Sequence, residues 1–174
     1  MTDAADNVMV QALLIGKRGL WAWVAAFLLL AATCAFAQEG WIKDQKGCKI
    51  SNPSPKAAET VSWSGPCADG FAEGQGVLQW YMEGTAGVRY EGTLVHGTVS
   101  GQGKLTMPDG TRYEGGWVNG KQNGTGKYRA ADGTTYEGEW KDGAPDGRGV
   151  LRRASGEVMD GTWKAGAYLG PPQQ

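Results

Sequence analysis

Chemistry in a chain of this size has to come from few side chains. The single histidine, His96, is the one ready base for a serine or cysteine nucleophile, and it lies in Val95-His96-Gly97, a turn-like setting without a partner motif. That places it in a solvated loop. Asp109, Asp132, Asp142 and Asp146 sit in glycine loops, where calcium would need roughly 6 to 8 oxygen ligands at fixed intervals. No loop has that spacing, and turn formation accounts for these acids. Glu91, Glu114 and Glu137 recur at a fixed period, as side chains of a solvated face do, whereas the paired carboxylates of an active site are built once. Gly101-Gln102-Gly103 could approach a phosphate, but no helix follows to turn its N-terminus to the anion. Cys48 and Cys67 lack the close Cys or His neighbours of a metal site. The pattern points to no catalytic residue, no metal and no cofactor.

Composition asks instead for a turn-rich β structure, since 29 glycines and 8 tryptophans among 174 residues are both far above ordinary usage. A formal net charge of −1 offers no electrostatic footprint for nucleic acid or an anionic membrane, so charge alone predicts no polyanionic partner.

Compartment is written at the N-terminus. Lys17 and Arg18 precede an uncharged run from Gly19 to Ala37 that ends in Ala35-Phe36-Ala37, the small-x-small pattern of a signal-peptidase site. Cleavage before Gln38 is the preferred reading; an uncleaved helical anchor through residues 19–37 is the competing one. A second apolar stretch from Val8 to Ile15 precedes Lys17, so Met9 is an alternative start. Cys34 lacks the flanking residues of a lipidation site and leaves with the leader. Cys48 and Cys67 then remain as an even pair in an exported chain, which predicts a disulfide. Closing that loop contributes about 3 kcal/mol in the chain-entropy picture.

Stepping along the rest of the chain reveals a period. Tyr90-Glu91-Gly92, Tyr113-Glu114-Gly115 and Tyr136-Glu137-Gly138 recur every 23 residues, and Met159-Asp160-Gly161 continues the step. Behind each start come a turn glycine (Gly97, Gly120, Gly143, Gly166) and then Gly101, Gly124, Gly147 and Gly170, the first three opening a Gly-x-Gly. An apolar column at Leu78, Leu105, Tyr128 and Leu151 marks the returning strand, and Pro108-Asp109-Gly110 or Asp132-Gly133 closes it with turn chemistry. A degenerate copy starts at Trp63-Ser64-Gly65, and Tyr81 to Arg89 holds extra residues that break the period once. Alternation along Tyr113-Glu114-Gly115-Gly116-Trp117 puts Tyr113, Gly115 and Trp117 on one face and Glu114 on the other. The glycine between two rings is expected to leave room for a ring from an adjacent hairpin. Tyr90, Tyr113, Trp117, Tyr136, Trp140 and Trp163 form the candidate aromatic face, for packing or for binding.

Tyr-Glu-Gly-x-Trp followed by Gly and Gly-x-Gly resembles the MORN repeat, over residues 63 to 170. The resemblance departs at Leu94 and Cys67, where tryptophan is missing, and at Met159, which replaces tyrosine. It implies an all-β chain, an elongated single-layer antiparallel sheet of tandem hairpins behind the helical signal or anchor segment. Residues 1–37 are then leader, 38–62 a linker and cap tied by the disulfide, and 63–170 an array of about four repeats plus a partial one. Residues 171–174 are a tail in which Pro171-Pro172 blunts the last edge. The resemblance further implies a non-enzymatic interaction or scaffold module, here of the cell envelope, with a protein partner. Membrane lipid is the runner-up, against which the lack of a Lys/Arg cluster counts. A sugar-stacking wall module is the third reading, supported only by Trp80-Tyr81, and self-association through a sheet edge remains open.

Overall fold

The computed structural model describes residues 40–171, and the leader expected over residues 1–37 lies outside them. Among the described residues there is no helix. The strands are β1 (Trp41–Lys43), β2 (Lys49–Ser51), β3 (Glu59–Trp63), β4 (Cys67–Ala68), β5 (Phe71–Ala72), β6 (Gly74–Met82) and β7 (Thr85–Val95). They continue as β8 (Thr98–Thr106), β9 (Arg112–Val118), β10 (Lys121–Arg129), β11 (Thr135–Lys141), β12 (Ala144–Arg152), β13 (Val158–Lys164) and β14 (Ala167–Gly170). Ten of them form one antiparallel sheet, in which β14 to β6 follow chain order and β3 closes the far edge.

Two kinds of turn fold this meander. At one margin His96-Gly97, Asn119-Gly120 and Asp142-Gly143 have both residues at positive φ (47° and 74°, 49° and 77°, 51° and 92°), the backbone that lets a two-residue hairpin follow the twist of its strands. Hairpins are latched to one another there, because Gly120 N–H donates to Val99 O (2.9 Å), Gly143 to Gln122 O (3.0 Å) and Gly166 to Pro145 O (2.9 Å). At the other margin the Asp-Gly pairs behave differently from the tight turns the sequence suggests. In Asp109-Gly110, Asp132-Gly133 and the equivalent Ser155-Gly156 only the glycine takes positive φ, while Asp109 and Asp132 use Oδ1 to accept the N–H of Thr111 and Thr134 at 2.8 Å. The β6–β7 turn at this margin, Glu83-Gly84, has both residues at positive φ.

The sheet is not alone, which corrects the single-layer expectation. A four-stranded sheet of order β1-β2-β5-β4 forms from the cap segment and the first repeat, with β2 and β5 parallel at Lys49 and Phe71. The Cys48–Cys67 disulfide lies within it, with Cα atoms 5.7 Å apart and Cys48 fully buried. This cap holds the β7–β8 turn: Ser51 N–H donates to Gly97 O and Gly97 N–H to Ala72 O, both at 2.8 Å. His96, read from sequence as a solvated loop residue, is exposed but stacks on Phe71 at 3.6 Å between centroids. Residues 59–62, assigned to linker and cap, extend β3 along the lengthened β6–β7 hairpin, so the extra residues of the first repeat simply make that hairpin longer.

Candidate functional site

Strand register sorts the ten-stranded sheet into rows that run across the strands. On the aromatic face one row is Trp63, Leu78, Tyr90, Leu105, Tyr113, Tyr128, Tyr136, Leu151 and Met159, each opposite the next. Beside it an unbroken row of glycines runs from Gly76 through Gly92, Gly103, Gly115, Gly126, Gly138 and Gly149 to Gly161. The tyrosine rings fold down onto these glycines, where a Cβ at Gly126 would strike the Tyr113 ring and one at Gly149 the Tyr136 ring. The ring that fills each gap is therefore the repeat's own tyrosine, not one leaning in from an adjacent hairpin as the sequence suggested. Two residues along a strand is a short reach, and it lets each hydroxyl meet the backbone again. Tyr90, Tyr113 and Tyr136 donate to the carbonyls of Thr93, Gly116 and Glu139 at 3.2, 3.1 and 3.1 Å.

Neighbouring repeats contribute the indoles. Trp117, Trp140 and Trp163 donate Nε1–H to the carbonyls of Gly103, Gly126 and Gly149 in the hairpin before, at 3.2, 3.2 and 2.9 Å. Trp117 and Trp140 also stand edge-on between two tyrosines, Trp140 being 5.1 Å from Tyr113 and 5.2 Å from Tyr136 at 83° and 89°, whereas Trp163 is edge-on to Tyr136 and tilted against Tyr168. All six residues of the candidate face are buried, from Tyr90 at 0% exposed to Trp140 at 8%. Burial pushes the phenols of Tyr90, Tyr113 and Tyr136 up to about 12.

With these rings packed inward, what the face offers to a ligand is the other half of the first row. Leu105, Tyr128, Leu151 and Met159 are half-buried, and Tyr128, Leu151 and Met159 line an open groove of about 450 Å³ with Pro145 and Tyr168. Tyr168 was not legible as a site residue, because it lies out of register with the 23-residue step; Tyr128 and Leu151 were legible as the returning-strand column.

The opposite face is wet and charged. Glu91, Lys104, Glu114, Lys127 and Glu137 are opposed in sequence order as one alternating row, and all five are exposed. The adjoining row carries Arg89, Arg112, Arg129 and Arg152. A sequence scan for basic clusters misses this row, since its members are 17 to 23 residues apart. Among the described residues no group of His, Cys, Asp and Glu side chains is arranged to hold a metal ion.

The repeating unit thus has a defined geometry: a tyrosine over a glycine pair, an indole reaching back one hairpin, and an acid on the far face. A comparison with curated proteins returns no match. The family profile described as MORN repeat matches residues 68–85, 90–112, 113–135 and 136–158, half of the chain, and its last three matches begin at Tyr90, Tyr113 and Tyr136, the tyrosines of β7, β9 and β11. On that match, and on the row geometry that accompanies it, the chain belongs to the MORN repeat family.

Proposed function

We propose that this protein is an exported, non-enzymatic interaction module of the cell envelope, which holds a protein partner against the half-buried apolar column of its aromatic face. MORN repeats are in general modules for contact with proteins or membranes rather than catalytic folds. The observation that carries the reading is the groove beside Tyr128, Leu151 and Met159, apolar and open where the rest of the face is closed by its own rings. Export is supported by the Lys17-Arg18 leader and by the pairing of Cys48 with Cys67, a bond that persists in oxidising compartments. Sugar stacking along the candidate face is disfavoured, because it needs ring faces turned to solvent and Tyr113, Trp117, Tyr136 and Trp140 are buried edge to face, while Trp80 and Tyr81 are a single half-buried pair that the later repeats do not renew.

A photoreactive residue at position 128 or 159, introduced into the protein in its native cells, tests this. A discrete protein adduct is expected from both positions and none from position 131, on an exposed turn. Absence of any adduct from the groove positions, or equal adducts from the turn, would overturn it. Intact mass of the recovered protein is expected to begin at Gln38; a full-length species in the membrane would replace export with anchoring.

A further inference from the structure

Net charge hides how the cations are arranged. On the wet face Arg89 is opposed to Thr106, Thr106 to Arg112, Arg112 to Arg129, Arg129 to Thr135 and Thr135 to Arg152, so this row holds arginine and threonine and no acid. Arg112 and Arg129 stand directly opposite one another, an arrangement of like charges that destabilises a sheet. Thr106 and Thr135 show that a neutral β-former serves in the same row, so the strands do not require arginine there. Arg89 is relieved by Glu91 at 3.1 Å. Among the described residues no carboxylate oxygen comes within 4.0 Å of a guanidinium nitrogen of Arg112, Arg129 or Arg152, and all three are exposed.

We propose that Arg112, Arg129 and Arg152 hold an acidic peptide segment of a protein partner, laid across the strands one chain wide. This goes beyond the apolar groove, which is on the other face. Width decides between anions. The Glu114 and Glu137 row lies two residues away along the strands, about 6.6 Å. A planar anionic membrane would cover both rows, and the second sets Glu91, Glu114, Glu137 and Asp160 against only Lys104 and Lys127, a net negative charge that offsets the arginines, whereas a single chain can lie on the arginines alone. A nucleic acid strand is also one chain wide, but it binds through rings that stack on its bases, and Tyr90, Tyr113, Tyr136 and the indoles are all on the opposite face. Successive arginines are one and two strand steps apart, about 4.8 and 10 Å. Carboxylates at alternate positions of an extended peptide, about 7 Å apart, come within reach of these long stems, and the planar guanidinium takes a carboxylate through two parallel N–H donors.

Fluorescence anisotropy of the mature protein with a labelled 12-residue peptide of alternating Glu and Ser tests the proposal, alongside thermal melts of the same samples. The Arg112→Gln, Arg129→Gln double variant is expected to lose about tenfold in affinity. Its melting temperature should equal or exceed the parent's, because a repulsive pair is gone and no native contact is lost. Glu114→Gln should bind more tightly, and added salt should weaken binding by the parent. No binding by the parent, or unchanged affinity in the double variant, would overturn the proposal. So would tighter, arginine-dependent binding of phosphatidylglycerol vesicles or a single-stranded oligonucleotide, which would assign the row to that class instead.

Discussion

The middle of the array and its two ends solve one packing problem with different residues. In the middle, Tyr113 and Tyr136 cover their glycine pairs, and Trp140 and Trp163 brace them from the next hairpin. At the N-terminal end the tyrosine is Trp63, whose ring lies over Gly65 and Gly76 and whose Nε1–H donates to Pro66 O at 2.8 Å, the same step of three residues that each tyrosine hydroxyl makes. Cys67, in the indole position, supplies no ring and ties the first repeat to the cap through Cys48. The C-terminal end has Met159 where tyrosine belongs, and Tyr168 comes back from β14 to lie against Gly161 and Trp163, its hydroxyl on Asp160 O at 2.8 Å. A ring over each glycine pair, with its polar atom on a nearby carbonyl, is what the array requires; the position in sequence that supplies the ring is free.

The largest effect should come from filling the glycine row in the middle. A Cβ at Gly138 meets the backbone of Gly149 and Arg148 as well as Tyr136, so Gly138→Val is expected to cost about 3 kcal/mol or more in urea melts, at the upper end of overpacking. Trp140→Leu should cost about 2 to 4 kcal/mol, since it removes the ring between Tyr113 and Tyr136 and leaves the buried Gly126 carbonyl without its donor. Ends can be set against the middle by a double-mutant cycle. Tyr168→Ala should cost about 1 to 2 kcal/mol alone and clearly less beside Met159→Tyr, where a tyrosine in register takes over its place. Additivity would mean that the two rings do not occupy one site.

Alkali separates the regions in another way. The phenols of Tyr90, Tyr113 and Tyr136 ionise near 12 when folded and near 10 when unfolded, so the stability tied to their neutral form is complete below pH 10 and lost as pH rises through 12. Tyr113→Phe should therefore compare better with the parent at pH 11 than at pH 7, by denaturant melts at the two values. The smallest change is Glu137→Gln. Glu137 and Lys127 are both largely exposed and pair at 2.9 Å, so a shift within about 0.5 kcal/mol is expected.

Much of this was legible because a 23-residue period of aromatic and glycine residues permits few registers. Tyr113, Gly115 and Trp117 fall on one face and Glu114 on the other by alternation alone, and of the three cysteines the Cys48–Cys67 pair follows once Cys34 is set aside with the expected leader. Three things were not legible, each for a physical reason. Alternation says which face a ring occupies but not which way it folds along that face, so it does not decide which hairpin's ring covers each glycine. Tyr168 acts across an edge from outside the period, and no spacing announces it. The Arg112, Arg129 and Arg152 row exists only once register places residues from separate strands side by side.

The register claim is tested most directly by contacts between ring protons and glycine Hα protons, measured by NMR on the protein without substitutions. Tyr136 ring protons are expected to show cross-peaks to the Hα protons of Gly138 and Gly149, and Tyr113 to those of Gly115 and Gly126, with the glycine signals moved upfield by the rings above them. Cross-peaks from Gly149 to a tyrosine of another hairpin, with none to Tyr136, would contradict the assignment of each ring to its own glycine pair.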